Sequence, residues 1–217
     1  MLNRHWPLRG LTVRTERLEL RLPDENELAE LADVAAAGVH EPGVRPFLTE
    51  WTSMPPEEVA RGVVQRHWAR LGSWRPDSWQ LELVAFADGR PIGCQDVRAK
   101  DFAVLREITS GSWLGKEHHR RGYGTEMRAA ALHLVFGHLG GEYATTMAFL
   151  DNEPSMGVSL KLGYRRDGLS RDNRDGETIV SQRMRLSRED WEKTAATLPP
   201  VEISGVEPCL SLFGVTG

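Results

Sequence analysis

From residue 111 to 127 the chain runs Gly-Ser-Trp-Leu-Gly-Lys-Glu-His-His-Arg-Arg-Gly-Tyr-Gly-Thr-Glu-Met, an extended stretch that breaks into a glycine-containing loop and passes straight into a helical repeat. The repeat covers residues 124–139, sets Met127, Ala130, Ala131, Leu134 and Val135 on one face, and stops at Gly140-Gly141. No other segment restricts the fold as much, because strand, tight loop and helix start in direct succession define both a packing layer and an anion site. The first turn of a helix has N–H groups without intrahelical acceptors, and its dipole adds positive potential, so it can hold a phosphate. Gly122 and Gly124 lack the Cβ that would keep a pyrophosphate away, and Arg120 and Arg121 add charge at the rim. A bare G-x-G also serves a ligand-free tight turn. The dinucleotide pattern G-x-G-x-x-G fails at Met127, and the P-loop's Gly-Lys-Ser/Thr is missing.

The surrounding pattern alternates strands and helices. Residues 11–22 alternate apolar and polar as one half-buried strand, and Asp24 caps a helix carrying Leu28, Leu31, Ala32 and Ala35. A second helix, over residues 53–71 with Pro55-Pro56-Glu57-Glu58 at its start and Val59, Val63, Val64 and Trp68 along it, reads as a substrate-side flap. Residues 79–86 and 91–97 form a hairpin around Asp88-Gly89, and residues 106–114 a further strand. Beyond the long helix come a strand over 143–150, a helix over 154–162 closed by Gly163, and a strand over 178–186 after a polar turn at 172–176. Ser187 starts a last helix, and the apolar tail 198–217 packs on the core or on a partner. The class is α/β. At 217 residues, with 40% of them hydrophobic and 27% charged, the chain suits a single folded domain, residues 1–217, rather than disorder.

Charge and cysteine content narrow the functions. With 27 Lys and Arg against 31 Asp and Glu, the net charge of −4 gives no global attraction to nucleic acid or anionic membranes. Cys94 and Cys209 stand far apart with no ligand spacing, which argues against a metal site and for a reducing cytoplasm. The first ten residues contain no apolar signal region, and the longest apolar stretch, 129–136, is far below the ~20 residues that span a bilayer.

The loop His119-Arg-Arg-Gly122-Tyr-Gly124 resembles the pyrophosphate loop Q/R-x-x-G-x-G/A of the GNAT superfamily of acyl-CoA-dependent N-acyltransferases, with His in the first position. Ser112-Trp-Leu-Gly115 is similar to the family's preceding strand, and Thr125-Glu126 to its helix start. The second signature, Asn152-Glu-Pro-Ser155-Met-Gly-Val-Ser-Leu-Lys161-Leu-Gly-Tyr164, is more specific, and the two cover about residues 107–164. The resemblance is closest to the branch of ribosomal-protein N-terminal acetyltransferases. It implies a mixed, largely antiparallel sheet that splays at the cofactor site, flanked by helices, and acyl-CoA as cosubstrate with no metal.

Transfer of an acyl group from a thioester to an amine needs a neutral amine, a polarised carbonyl, and a proton for a departing thiolate whose thiol has a pKa near ~8.5. The resemblance implies cofactor contacts from Trp113, Leu114, His119, Arg120, Arg121, Gly122, Tyr123, Gly124, Thr125, Asn152 and Ser155, with an oxyanion donor N–H near Leu114. It also points to Ser155, with Tyr164 as fallback, for thiolate protonation. Glu107, early on the strand leading to the cofactor, is the candidate base, with Asp96 and His118 as alternatives. The expected activity is acetyl or succinyl transfer to a protein N-terminus, a lysine or a small amine. Open alternatives are a non-catalytic acyl-CoA-binding module and an adaptor that self-associates through its tail; a homo-oligomer is compatible with catalysis.

Overall fold

A computed structural model describes residues 2–215. Nine strands form one sheet in the order β7-β8-β6-β5-β4-β3-β2-β1-β9. They are β1 (Thr12–Arg14), β2 (Glu19–Arg21), β3 (Ser78–Ala87), β4 (Arg90–Lys100), β5 (Glu107–Leu114), β6 (Tyr143–Phe149), β7 (Arg165–Arg174), β8 (Glu177–Ser187) and β9 (Glu202–Ser204). Helices are α1 (Glu25–Ala36), α2 (Pro56–Gly72), α3 (Phe102–Leu105), α4 (Tyr123–Gly137), α5 (Glu153–Lys161) and α6 (Arg188–Ala195). Every pairing is antiparallel except β5 with β6.

Local chemistry accounts for most of these elements. α1 starts at a reciprocal capping box, with Asp24 accepting from the Glu27 N–H and Glu27 accepting from the Asp24 N–H. The β3–β4 hairpin turns on Asp88 (φ 50°) and Gly89 (φ 76°), both left-handed, which matches the twist of its strands. α1 and α2 cover one sheet face, packing Leu28, Leu31, Val59 and Val63 over Val84, Phe86 and Cys94. α4, buried nearly all round, covers the other face with α6 and the chain's end.

Three expectations need correction. The alternating stretch 11–22 is two short strands, because Thr15 closes a turn by accepting from the Leu18 N–H (3.0 Å) and its own N–H donates to the Leu18 carbonyl (2.9 Å). Trp68 is exposed rather than part of the α2 core face, where His67 is buried instead. The polar turn expected over 172–176 narrows to Asp175-Gly176, because residues 165–174, for which the sequence predicts no element before 172, form an outer strand. The tail packs on the core: β9 pairs with β1, Cys209 and Phe213 are fully buried, and the indole N–H groups of Trp74 and Trp79 donate to the carbonyls of Leu212 and Phe213.

Candidate functional site

The loop joining β5 to α4 is an array of free peptide donors. Among the described residues, the N–H groups of Arg120, Arg121, Gly122, Tyr123 and Gly124 find no acceptor, while those of Thr125 and Glu126 bond to the Gly122 carbonyl. Gly122 is the N-cap of α4 at φ 84°, a conformation that turns consecutive N–H groups toward one point. His119 has a definite role in this loop. Its Nε2 lies 3.1 Å from the Leu114 carbonyl, which can only accept, so the ring donates there and ties the loop to the end of β5. From the far side, Arg17 Nε donates to Glu126 Oε2 (2.8 Å), Arg17 Nη1 to the Arg121 carbonyl (3.0 Å), and Thr15 Oγ1 to Glu126 Oε1 (2.6 Å). Arg17 and Thr15 escaped sequence reasoning, since their partners lie more than a hundred residues away.

Next to the loop, the sheet opens. β5 and β6 pair only at Glu107↔Tyr143, Ile108↔Ala144 and Thr109↔Thr145, after which β5 continues against β4 and β6 continues against β8. The last bridges across the divide are side chains: Thr145 and Thr146 hydroxyls donate to the carbonyls of Ile108 (3.0 Å) and Ser110 (3.1 Å). The Gly115 N–H bonds to the Ile92 carbonyl (2.9 Å), so by the alternation of an antiparallel ladder Gly111 and Trp113 direct their peptide groups to β4. The N–H groups of Ser112 and Leu114 therefore face the gap.

The gap has a different lining on each face. On the α1/α2 face Trp113 packs edge-on against Trp51 (centroids 5.8 Å apart), and Gly111 stands opposite Asp96 in register. Asp96 Oδ1 accepts from Gln80 Nε2 (2.9 Å), and burial raises its pKa above the ordinary 3.8. Nearby on this face Arg70 pairs with buried Glu82 (2.5 Å), and His67, its pKa lowered by burial, sits with Nδ1 4.0 Å from Glu82. A groove of about 780 Å³ on this face is lined by Trp74, Gln80, Arg98, Lys100, Glu107 and Thr109, so the Gln80 that bonds to Asp96 stands on its wall.

Glu107 lies on that groove but away from the gap. It is seven residues from Leu114, about 23 Å along an extended strand, within the stretch still paired to β6, and it accepts from Arg185 Nη1 (2.6 Å). His118 lies in a 3-10 turn beside Glu117 (3.3 Å), against a separate groove of about 500 Å³.

On the α4/α5 face the second signature comes together. Asn152 caps α5 by accepting from the Ser155 N–H (3.2 Å). Ser155 is half-buried, and among the described residues its hydroxyl makes no bond. Tyr164 is buried, its hydroxyl 3.4 Å from Ser110 Oγ and its pKa raised by desolvation. Behind Ser112 lies Arg128, 3% exposed, which donates to Ser159 Oγ (2.8 Å) and Ser112 Oγ (3.3 Å). The sequence placed Arg128 inside an apolar helix without marking it as special.

Among the described residues no cluster of three or more His, Cys, Asp or Glu could hold a metal, and no helix is long and apolar enough to cross a membrane. Residues 17–165 match the profile of the family described as Acetyltransferase (GNAT) domain. Among solved structures, the chain is similar to Mycobacterium smegmatis RimJ in complex with CoA-disulfide, at 19% identity over 88% of this chain and 93% of that one, with a TM-score of 0.66. It is also similar to the ribosomal alpha-N-protein acetyltransferase RimL in complex with coenzyme A (14%, 80% and 95%, TM-score 0.62). A GNAT-family acetyltransferase from Bacillus anthracis matches at 17% identity over 82% and 99% of the chains, TM-score 0.62. At these identities the likeness is one of fold.

Proposed function

The chain belongs to the GNAT acetyltransferase family, and on that premise we propose that it transfers the acetyl group of acetyl-CoA to the α-amine of a polypeptide. The observation that carries this reading is the run of five unpaired N–H groups from Arg120 to Gly124, next to a sheet gap with peptide donors on its edge. That array suits a diphosphate. Trp113, Leu114 and Ser112 would line the pantetheine, Arg120 and Arg121 would add charge at the rim, and Tyr123, Thr125 and His119 would hold the loop's shape. Bound there, the cosubstrate supplies a thioester carbonyl and a thiolate leaving group.

The chain's own groups divide the chemistry. Asp96 accepts the proton of the incoming ammonium, directly or through a water; its buried carboxylate with a raised pKa, opposite Gly111 and only loosely approached by Arg98 (3.8 Å), supports this over Glu107, which Arg185 engages at 2.6 Å. The N–H of Ser112 or Leu114 donates to the carbonyl oxygen as negative charge builds there. Ser155, with a free hydroxyl at the half-buried start of α5, donates to the departing sulfur. Tyr164 is the deeper alternative donor, at the apex of the gap. Asn152 acts by holding Ser155 in place.

Support for a polypeptide acceptor is the open groove walled by Gln80 and Arg98, the two side chains next to Asp96, together with RimL, a relative in fold described as an alpha-N-protein acetyltransferase. The test is incubation with acetyl-CoA and a panel of N-terminal peptides, lysine peptides and small amines, reading released thiol and acetylated product by mass. Acetylation of free peptide N-termini is the expected outcome. Coenzyme A binding with no thiol release on any acceptor would leave a binding module, and no binding at all would end the reading.

A further inference from the structure

Among the described residues Arg128 is the only buried arginine, and it has no counter-ion. No carboxylate pairs with it, its Nε finds no acceptor, and its two bonds go to neutral hydroxyls on Ser112 of β5 and Ser159 of α5. The one other titratable group that bears on it is the Tyr164 hydroxyl, and burial depresses the guanidinium's pKa. A guanidinium stays charged under such conditions, and a charge removed from water with no partner is retained at a considerable cost. Its position gives that charge a use. Ser112 is the second residue of β5 beyond Ser110, where the Thr146 hydroxyl makes the last bridge across the strands, so Arg128 stands directly behind the inner end of the gap.

We propose that Arg128 is a fixed counter-charge for the sulfur of the cosubstrate and that it stabilises the thiolate; this rests on the acyl-CoA reading above. During transfer the amine nitrogen bonds to the carbonyl carbon, and the C–S bond breaks with its electron pair on sulfur. One ammonium proton passes to Asp96 before attack; nitrogen sheds a second as the intermediate collapses, and sulfur carries negative charge until it is protonated through the Ser155 hydroxyl, which gives its own proton to sulfur and takes that second one in return through water. A buried cation lowers the barrier to that charge separation, because the attraction of a guanidinium itself removed from water is weakly screened. Ser112 and Ser159 hold the guanidinium in place, and Ser159 is itself fixed by donating to the Ser155 carbonyl (3.1 Å), one turn from the proposed proton donor.

The experiment compares the affinity of coenzyme A with that of desulfo-coenzyme A, which lacks the thiol, by calorimetry between about pH 6 and pH 9, a range that spans the ordinary thiol value of about 8.5. If the thiolate is favoured, the ratio of the two affinities rises with pH in the wild type and levels off above the free thiol's pKa. A bound thiol shifted down by one unit gives about a tenfold rise. In Arg128→Met the rise disappears while desulfo-coenzyme A still binds, and Arg128→Lys restores part of it. A pH-independent ratio in the wild type overturns the proposal while leaving the acyl-CoA site standing, and needs no variant to fold. Preferential binding of succinyl-CoA over acetyl-CoA that depends on Arg128, with a flat thiol profile, also overturns it, by assigning the cation to an acyl carboxylate. Absence of binding by either coenzyme defeats this proposal and the acyltransferase reading together.

Discussion

Arg17, in the turn between β1 and β2, grips Glu126, in the first turn of α4, 109 residues further along the chain, through its Nε, its Nη2 and its backbone N–H. The same guanidinium donates to the Arg121 carbonyl and lies over the Tyr123 ring, 4.8 Å from its centroid. One residue from the sheet edge thus sets the shape of the loop from Arg121 to Glu126. Arg17→Ala is expected to raise the KM for acyl-CoA several-fold with little change in kcat. Unfolding free energy should fall by only about 1 kcal/mol, because the arginine is about half exposed and such pairs are well screened. Steady-state kinetics and denaturant unfolding read the two effects separately. An equal loss in kcat would show that Arg17 acts on the chemistry itself.

The two glycines of the loop should behave differently. Gly122 sits at φ 84°, and a Cβ there would meet Arg17 Nη2 at 3.3 Å, whereas a Cβ on Gly124 would meet only Leu114 and Val158 at 3.8 Å and 3.9 Å. Gly122→Val is expected to cost about 1–3 kcal/mol of stability through backbone strain, and to weaken coenzyme A binding by at least about tenfold as the N–H array loses its shape. Gly124→Ala should fold as well as wild type, since alanine is the better helix former. Thermal unfolding and calorimetric titration of both variants check this; wild-type affinity in Gly122→Val would mean the diphosphate is held elsewhere.

What the sequence made legible follows from where the determinants lie along the chain. The α1 capping box, the Asp88-Gly89 turn and the apolar α4 depend on residues within a few positions of one another, so pattern reading finds them. β7 was missed because residues 165–174 are polar on both faces and the strand forms the sheet's outer edge, where no burial imposes alternation. β1 and β2 merged into one expected strand because each half alternates, although the apolar positions switch from odd (Leu11, Val13) to even (Leu18, Leu20, Leu22) across the polar turn at Thr15–Arg17, a phase break that marks the turn. The loop was readable because it acts through main-chain groups. Asp96 with Gln80, Arg128 with Ser112 and Ser159, and Arg17 with Glu126 were not, since each depends on a partner brought close only by the fold.

The chain's end is structural. Phe213 is fully buried, with its ring in edge contact with those of Trp74 (5.4 Å) and Trp79 (4.9 Å). Phe213→Ala should cost about 3–5 kcal/mol, the range for a large aromatic lost from a packed core, and removal of residues 207–217 should prevent stable folding rather than free a docking segment. Burial in this cluster pushes the Cys209 thiol up to about 11, and burial under α1 and α2 on the other sheet face pushes Cys94 well above its usual range. Neither thiol should therefore react with a disulfide probe at pH 8 until the protein is unfolded. Rapid native-state labelling of Cys209 would show that the tail detaches.

The base is decided by comparing two carboxylates on the same sheet face. Asp96 is buried opposite Gly111, and desolvation raises its pKa; Glu107 is further down β5 and already accepts from Arg185. If Asp96 takes the amine's proton, kcat/KM falls as pH drops through its raised pKa, an acid limb displaced above the ordinary 3.8. Asp96→Asn should abolish that limb and lower turnover about 10²- to 10⁴-fold, while coenzyme A binds as before. Stability should move the other way. A carboxyl whose folded-state pKa is raised favours folding while it is protonated, and that contribution is lost as pH climbs through the folded value, so at neutral pH ionised Asp96 opposes folding. Asparagine, able to accept from Gln80 in the same place, should leave the protein as stable or more so near pH 7. Glu107→Gln loses a half-exposed ion pair and should keep turnover near wild type. The reverse pattern, an inactive Glu107→Gln beside an active Asp96→Asn, would place proton abstraction at the foot of β5 and the acceptor amine with it.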